Sequence, residues 1–457
     1  MNNIILMTDS YKVSHFLQYP KGTEFVSAYI ESRGSDREWN ESMFFGLQML
    51  LKQYLSKPIT QEDIDEAEAI WTAHGEPFNR EGWMHILNEH GGYLPVKIEA
   101  VPEGTVVGLS NVLAQVVNTD SKVPWLTSYL ETIILRSIWF PTTVATQDMY
   151  IKRTITDYLN LTSDVPEGQA EFMLHDFGAR GTSSHESAAI GGAAHLVNFL
   201  GTDTIEGVVQ ARRYYGANMP GFSIPAAEHS TITAWGGPEK EIEAFRNMVD
   251  QFGGENKMYA VVSDSYDIMQ ACDKWLSLKD EITQKGGVLV VRPDSGDPST
   301  IVSKVINRLM ENFGYTTNSK GYKVLPDYIR VIQGDGINEI SIKKILAVME
   351  GNRLSADNIA FGMGGALLQQ LDRDTLKFAM KVSAIKIGGM WHDVYKNPVT
   401  DTGKRSKKGI LALKEGVTYR LSEVDFDENT LEVIFENGHI KRTYSLDEIR
   451  NRARQYV

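Results

Sequence analysis

The sequence predicts an α/β fold in which a parallel sheet, open or closed into a barrel, is covered by helices. Three observations carry this. Between Glu171 and Gly388 a short apolar run, a polar or Gly-rich loop and a helical segment recur in that order. The apolar runs, such as VLVV and YAVV, read as strands buried on both faces. Nearly all the unusual residues of the stretch, among them His175, Asp176, Arg180, Asp264, Arg292, Asp294 and Asp335, fall in the loops directly after those runs. In either architecture ligands gather there, at the C-terminal ends of the strands.

Along the chain, residues 1–150 are mixed. Phe25 to Glu31 reads as a strand, Phe44 to Tyr54 and Gln61 to His74 as helices, and Leu94 to Asn118 as β-rich runs broken by Pro102-Glu103-Gly104. The most apolar stretch, Tyr129 to Ala145, contains Glu131 and Arg136, both expensive in lipid. It reads as a core helix followed by a strand. The repeated units come next. FML runs into HDFGARG and a helix from Ser184 to Phe199, and YAVV into SDSYD and a helix to Leu276. VLVV runs into RPDSGDP and a helix from Ser299 to Asn312, YIRVI into QGDG and a helix to Met349, and NIAF into GMGG and a helix to Leu371. β character then returns, with a hairpin on Asn437-Gly438 between TLEVIF and IKRTYS. The closing SLDEIRNRAR reads as a helix capped by Ser445, with Glu448 at capping-box spacing.

Composition narrows the function classes. The 457 residues, 42% hydrophobic and 23% charged, suit a globular protein of two or three domains and are too apolar for a disordered one. A net charge of −13, from 46 Lys+Arg against 59 Asp+Glu, argues against nucleic acid as the main ligand. It leaves room for one small polyanion held by a few arginines. Cys272 is the sole cysteine, so no internal disulfide forms and a small buried thiol is expected. Met1 to Asp9 lacks a basic region and a long apolar core, so a signal peptide is not expected, and the lack of any possible internal disulfide points to a cytoplasmic location.

The loops carry the chemistry. In RPDSGDPST, Arg292 can grip a phosphate bidentately, and Asp294 and Asp297 are hard oxygen ligands suited to Mg²⁺ beside phosphate. Asp297 and Ser299 serve equally well as helix caps. Asp335 stands between two glycines in QGDG, a place for a carboxylate that holds ribose hydroxyls or for a plain turn. FGMGGALLQQL is a strand-to-helix turn whose free N–H groups favour an anion, although Gly364 and Gly365 also suit close packing alone. Neither the dinucleotide fingerprint nor the P-loop is matched, and no His/Cys zinc spacing or GxSxG elbow occurs. HDFGARG places Phe177 and Arg180 in one loop, a combination suited to a flat ring reacting with a phosphorylated group. His229 in PAAEHSTITAWG reads, on composition alone, as a structural histidine. The basic run KRSKKG, Lys404 to Gly409, is a solvated loop or a flap over phosphates.

Together and in this order, the motifs resemble the nicotinamide phosphoribosyltransferases. The matching stretches begin at TDSYKVSH (Thr8 to His15) and include FGLQ, LPVKIEAVPEG, WLTSYLETI, PTTVAT, HDFGARG and HLVNFLGTDT. They continue through PAAEHSTITAWG, VVSDSYDI, VVRPDSG, NSKGYK, VIQGDG, IAFGMGG and KRSKKG to SLDEIR, nearly the whole chain. The resemblance implies an irregular, TIM-like α/β barrel over 166–389, joined to a mixed α+β domain formed from 1–165 and 390–457. It implies a homodimer with shared active sites and no nucleic-acid or membrane partner. The implied reaction transfers phosphoribosyl from 5-phosphoribosyl 1-pyrophosphate to nicotinamide, giving nicotinamide mononucleotide and pyrophosphate in NAD salvage, with Mg²⁺ as cofactor and ATP as co-substrate. On this resemblance Phe177 stacks on the pyridine ring, Tyr11 of the second subunit covers its other face, and Asp203 accepts the carboxamide N–H. Arg180 and Arg292 hold phosphate groups with help from Arg373 and Arg33, and Asp335 binds ribose hydroxyls. Gly334, Gly364 and Gly365 line the phosphate loop, while Lys381 and Lys404 complete the substrate-binding set. His229 is the residue that ATP phosphorylates, with Asp264 and Asp294 beside it. Asp294 also meets Mg²⁺, directly or through water.

The chain departs from the family pattern in places. Ala179 stands where relatives often carry Tyr, Ala366 replaces a third Gly, and Ala379 replaces a Ser of animal members. The segment Gly34 to Met43 is short. The departures bear on the shape of the ring tunnel and on ATP coupling, not on the reaction class. The nearest alternative is a nicotinate phosphoribosyltransferase. Asp203 argues against it, because two carboxylates would repel where a carboxamide donates. A non-catalytic binding or signalling protein of the same fold is the alternative from another class.

Overall fold

The computed structural model describes residues 3–400 and 405–457. Lys404 therefore lies outside the described residues. The chain divides into two units, one of Met1–Thr146, Arg213–Gly216 and Asp372–Tyr456, the other of Gln147–Arg212 and Ala217–Leu371 with Val457. The seams fall at Thr146 and Leu371, whereas the resemblance placed them at 165 and 389. The later seam has a hydrogen-bonding reason. Phe378–Ile387 pairs antiparallel with Thr23–Ser32, with Lys381 opposite Tyr29, and so belongs to the sheet of the first unit.

That sheet has seven strands in the order Met390–Asp393, Phe378–Ile387, Thr23–Ser32, Val112–Asn118, Val96–Ala100, Glu432–Glu436 and His439–Ile440. The final hairpin turns on Asn437 (φ 52°) and Gly438 (φ 83°), the left-handed pair a two-residue hairpin needs. Its return strand is only His439–Ile440, so most of IKRTYS is not strand. The closing helix Leu446–Ala453 has its capping box. The Glu448 amide donates to the Ser445 hydroxyl at 3.2 Å, and the Ser445 amide donates to the Glu448 carboxylate at 2.8 Å.

The apolar stretch expected to be helix then strand belongs to one helix, Glu131–Thr162, 32 residues long with Pro141 inside it. The β-branched residues after Pro141 favoured a strand. Burial in the core holds them in the helix, with Val144, Ala145 and Met149 fully buried, while their hydroxyls bond back one turn, Thr143 to the Trp139 carbonyl and Thr146 to that of Thr142 at 2.6 Å. Among the described residues no helix is long and apolar enough to cross a membrane.

The second unit is built on a parallel sheet of six strands, in the order Gly201–Thr202, Leu174–Asp176, Ile359–Met363, Ile329–Gln333, Val288–Arg292 and Met258–Val262. The segment 222–227, which has no strand pattern, bonds to both edges. Thr202 N donates to Phe222 O at 2.9 Å on one side, and Ala260 N to Pro225 O at 2.9 Å on the other. The sheet is thereby closed into an irregular barrel, as the resemblance implied. Helices follow the strands, among them His185–His195, Ile268–Ser277, Pro298–Phe313 and Glu339–Gly351. After Ile359–Met363 the helix is only Gly365–Leu368 and stops short of the expected Leu371. Asp297 takes the capping role, accepting from Thr300 N at 3.0 Å.

Candidate active site

The barrel interior is lined by apolar side chains. Ala260, Val290 and Ile332 cluster there, with Phe177, Ile224 and Ala360 against them. These residues leave a cavity of about 480 Å³. Phe177, Asp203 and Arg292 border it from the C-terminal ends of their strands, and Ser223 from the closing segment 222–227.

Phe177 directly follows the strand Leu174–Asp176, and its amide donates to the Met363 carbonyl at 2.9 Å. Its ring lies against Gly362, where an added Cβ would come within 2.0 Å of Phe177 Cε2. Asp203, whose amide donates to the Asp176 carbonyl at 2.9 Å, accepts a hydrogen bond from the Ser223 hydroxyl at 2.5 Å. His175 lies one strand position before Asp176. Burial pushes its imidazole below its ordinary pKa, with the Asp203 charge opposing, so the ring is neutral at pH 7. The wall of the cavity therefore combines an aromatic face with a carboxylate.

A second group of residues stands at the ends of the Met258–Val262 and Val288–Arg292 strands. Asp264 Oδ2 accepts from the Asp294 amide at 2.8 Å and from the Ser295 hydroxyl at 2.5 Å, which ties the two loops together. His229 opens the short helix His229–Thr233. Its Nε2 is 3.6 Å from Asp264 Oδ1 and 3.5 Å from Asp294 Oδ2, and its Nδ1 is 3.1 Å from Ser265 Oγ. The imidazole is 46% exposed, so a large ligand can reach it. An Arg292 terminal nitrogen is 3.3 Å from Asp294 Oδ2. Arg292 Nε and Asp264 Oδ1 are both buried without a hydrogen-bond partner. Buried unpaired polar atoms of opposite sign are expected where a charged ligand completes the site.

The remaining expected residues of this unit surround the same strand ends. Arg180 is exposed on the turn Ala179–Gly181. Gly334 follows the strand Ile329–Gln333, and a Cβ there would meet Asp294 Oδ1 at 3.4 Å and the Phe177 ring at 3.5 Å. Asp335 is exposed, and its carbonyl accepts from the Gln333 side chain at 2.9 Å. Gly364 caps the turn Gly365–Leu368, and nothing lies within 4 Å of a Cβ placed on Gly365. Phe177, Asp203, His229, Asp264, Arg292, Asp294 and Gly334 are thus linked by the contacts of one barrel end.

Tyr11, Arg33, Arg373 and Lys381 belong to the first unit. Tyr11 is 57% exposed on the 3₁₀ turn Ser10–Leu17. Lys381 lies on Phe378–Ile387, where burial lowers its pKa and Arg33, Lys12 and Lys396 lower it further against Glu131. Arg373 pairs with Asp374 at 3.0 Å. Of the basic run, Lys407 is engaged by Glu31.

Sequence reasoning missed Ser223, Ser265 and Gly362. Ser223 stands in a loop without a distinguishing pattern, whereas Ser265 lies inside the SDSYD loop already singled out and could have been found there. Gly362 carried a signal, a glycine inside an otherwise apolar strand, which marks close approach of another group.

Known proteins resemble this chain in sequence and in fold. Residues 172–439 match the nicotinate phosphoribosyltransferase (NAPRTase) family, and residues 3–98 match the nicotinamide phosphoribosyltransferase N-terminal domain. A nicotinamide phosphoribosyltransferase of Xanthomonas campestris pv. campestris (strain 8004) is 51% identical, over 99% of this chain and 98% of its own. That of Acinetobacter baylyi (strain ATCC 33305 / BD413 / ADP1) is 33% identical, over 98% and 96%. The crystal structure of nicotinate-nucleotide pyrophosphorylase from Pyrococcus furiosus superposes with a TM-score of 0.64 at 16% identity, covering 99% of this chain and 95% of that one. Human nicotinic acid phosphoribosyltransferase does so with a TM-score of 0.59 at 15% identity, covering 99% and 93%. At such identities the structures share the fold alone. On the sequence matches across both units, the chain belongs to the nicotinamide phosphoribosyltransferases of the NAPRTase family.

Proposed function

We propose that this protein transfers phosphoribosyl from 5-phosphoribosyl 1-pyrophosphate to nicotinamide, releasing pyrophosphate and forming nicotinamide mononucleotide in NAD salvage. One observation carries the reading. The cavity end bordered by Phe177, Asp203 and Ser223 also holds Arg292, whose Nε is buried without a partner. A flat amide-bearing ring and a phosphate group thus find complementary walls side by side.

The chemistry asks little proton transfer of the protein. Breaking the bond from ribose C1 to pyrophosphate gives an oxocarbenium-like state, which the pyridine nitrogen captures in line. Positioning and charge stabilisation supply most of the acceleration. Phe177 holds the ring flat, and Asp203, oriented by Ser223, accepts the carboxamide N–H. Arg292 and Arg180 neutralise phosphate oxygens, with Arg33, Arg373, Lys381 and Lys404 assigned to the same task. Asp335 accepts from ribose hydroxyls, and Gly334, Gly364 and Gly365 leave room for the phosphates.

Mg²⁺ fits the donors present, since Asp264 Oδ1 is a buried carboxylate oxygen with no hydrogen bond, 3.6 Å from His229 Nε2, and the Asp294 carboxylate stands in the adjoining loop. Asp294 and Asp264 would hold it directly or through water, and its charge would ease departure of pyrophosphate. ATP is read as co-substrate. Its γ-phosphoryl passes to a His229 ring nitrogen with release of ADP, and water later returns it as phosphate. The carboxylates of Asp264 and Asp294 face Nε2, so they orient the ring and Nδ1 is the accepting nitrogen. We also read the working form as a cytoplasmic homodimer in which Tyr11 of one subunit completes the ring pocket of the other.

The test is pyrophosphate release measured with nicotinamide, with nicotinate and with neither. Release with nicotinamide well above the other two is expected. Equal or faster release with nicotinate reassigns the acceptor, and no release with either ring rejects the transferase reading.

A further inference from the structure

In the first unit, His85 lies on the helix Arg80–Glu89, His90 caps its C-terminus, and Asp120 follows the strand Val112–Asn118. None of the three takes part in the proposed reaction. Nε2 of His85 and Nε2 of His90 are each 2.7 Å from the same oxygen, Asp120 Oδ2. The three ligand atoms lie within 4.8 Å of one another. The rings meet edge to face, with centroids 5.7 Å apart and planes at 75°, so both nitrogens converge on one point.

The carboxylate is held in place. Asp120 Oδ1 accepts from the Lys122 amide at 2.8 Å, and its carbonyl accepts from the Asn118 side chain at 2.8 Å. Partial burial opposes its charge, yet the Lys122 amide and the two imidazoles hold it below the usual carboxylate range. The side chains of His85, His90 and Asp120 are 17, 26 and 19% exposed, which leaves the cluster open to ions and to a completing water.

We infer that His85, His90 and Asp120 bind one divalent transition-metal ion of the Zn²⁺ type, tying the end of Arg80–Glu89 to the loop after Val112–Asn118. Two imidazole nitrogens and one carboxylate oxygen are a donor set for Zn²⁺, Ni²⁺ or Cu²⁺ and a poor one for Mg²⁺. Ligand distances of about 2.0–2.2 Å place the donors of a tetrahedral ion roughly 3.3–3.6 Å apart. The nitrogen–oxygen contacts therefore open by about 0.6–0.9 Å on binding, a side-chain adjustment. Each imidazole would bind the ion through an unprotonated Nε2, with its ring proton on Nδ1.

The test uses the full chain, free of any tag and stripped with a chelator. Equilibrium dialysis against Zn²⁺, followed by metal analysis, counts bound ions, and thermal unfolding reads their effect. One Zn²⁺ per chain and a raised unfolding midpoint are expected for the wild type. His85→Gln and His90→Gln keep a donor for Asp120 but lose the ring nitrogen, and each should lose the ion and the midpoint shift while retaining pyrophosphate release. Mg²⁺ should bring no such shift. No bound Zn²⁺ in the wild type, or equal binding in the variants, overturns the site. Should a variant fail to fold, the visible spectrum of the Co²⁺-loaded wild type decides. A strong four-coordinate band supports the site, and a weak band or none rejects it.

Discussion

A Cβ on Gly362 would stand 2.0 Å from Cε2 of Phe177, so the ring's seat exists because one strand position lacks a side chain. Gly362→Ala should push the ring out of place. Overpacking at such a site costs about 1–3 kcal/mol of stability. The larger effect is expected on the acceptor, with KM for nicotinamide rising on the order of tenfold, since the displaced ring no longer presents its face. Steady-state kinetics with thermal unfolding checks this. A variant with wild-type KM and stability would show that Phe177 has another seat.

Asp203 accepts from Ser223 at 2.5 Å and borders the cavity beside Phe177. Asp203→Asn keeps an oxygen for Ser223 and removes the negative charge. Preference should move from nicotinamide towards nicotinate. A hydrogen bond to a charged group contributes about 1.5–3 kcal/mol, so the ratio of kcat/KM values should change tenfold or more. An unchanged ratio would place the carboxamide elsewhere.

His229 lies 3.5–3.6 Å from two carboxylates and is half exposed. His229→Ala should retain slow synthesis independent of ATP, while ATP hydrolysis and the gain in substrate affinity from ATP both disappear. Wild-type ATP hydrolysis with normal coupling in this variant would return His229 to a structural role.

Sharing of the site between subunits can be read by complementation. Tyr11→Ala and Arg292→Ala should each be inactive alone. A mixed dimer retains one composite site with both residues, so mixing should restore part of the activity. Absence of recovery, with subunit exchange verified, counts against sharing.

His195 Nδ1 is 2.8 Å from Asp148 Oδ2, and its Nε2 donates to the Gly201 carbonyl at 2.9 Å, two residues before Asp203. Burial pushes the Asp148 carboxyl from 3.8 up to about 6, against the pull of His195. A raised pKa means that the folded state holds the proton more tightly than the unfolded one. Its stability share is therefore complete below pH 3.8 and is lost as pH rises through 6. Without its partner, the buried His195 also binds its proton less tightly. Both effects favour Asp148→Asn relative to wild type as pH rises from 4 to 6. Chemical unfolding across that range measures the difference. A pH-independent difference would contradict the assignment.

What the sequence determined by itself was local. The strand–loop–helix units between Leu174 and Leu368 were visible because apolar runs, glycine turns and caps act over a few residues. The Ser445–Glu448 box and the Asn437–Gly438 turn were readable for the same reason. The loops that carry Arg292, Asp294 and Asp335 stood out because charged residues directly after buried strands need partners. Local rules failed at 131–162, where the β-branched residues after Pro141 imitate a strand and core packing makes them helical. Tertiary structure alone decided the closure of the barrel by 222–227, whose backbone bonds go to Leu200 and Thr202 on one side and to Ala260 on the other. It alone also joined Ser223 to Asp203, seated Phe177 on Gly362, and converged His85 and His90 on Asp120. These pairs lie 20 to 185 positions apart along the chain, or, as with His85 and His90, face a third residue that no spacing rule connects to them. Contacts between such residues leave no periodic trace, because they depend on where whole elements pack and not on what neighbours each residue in sequence.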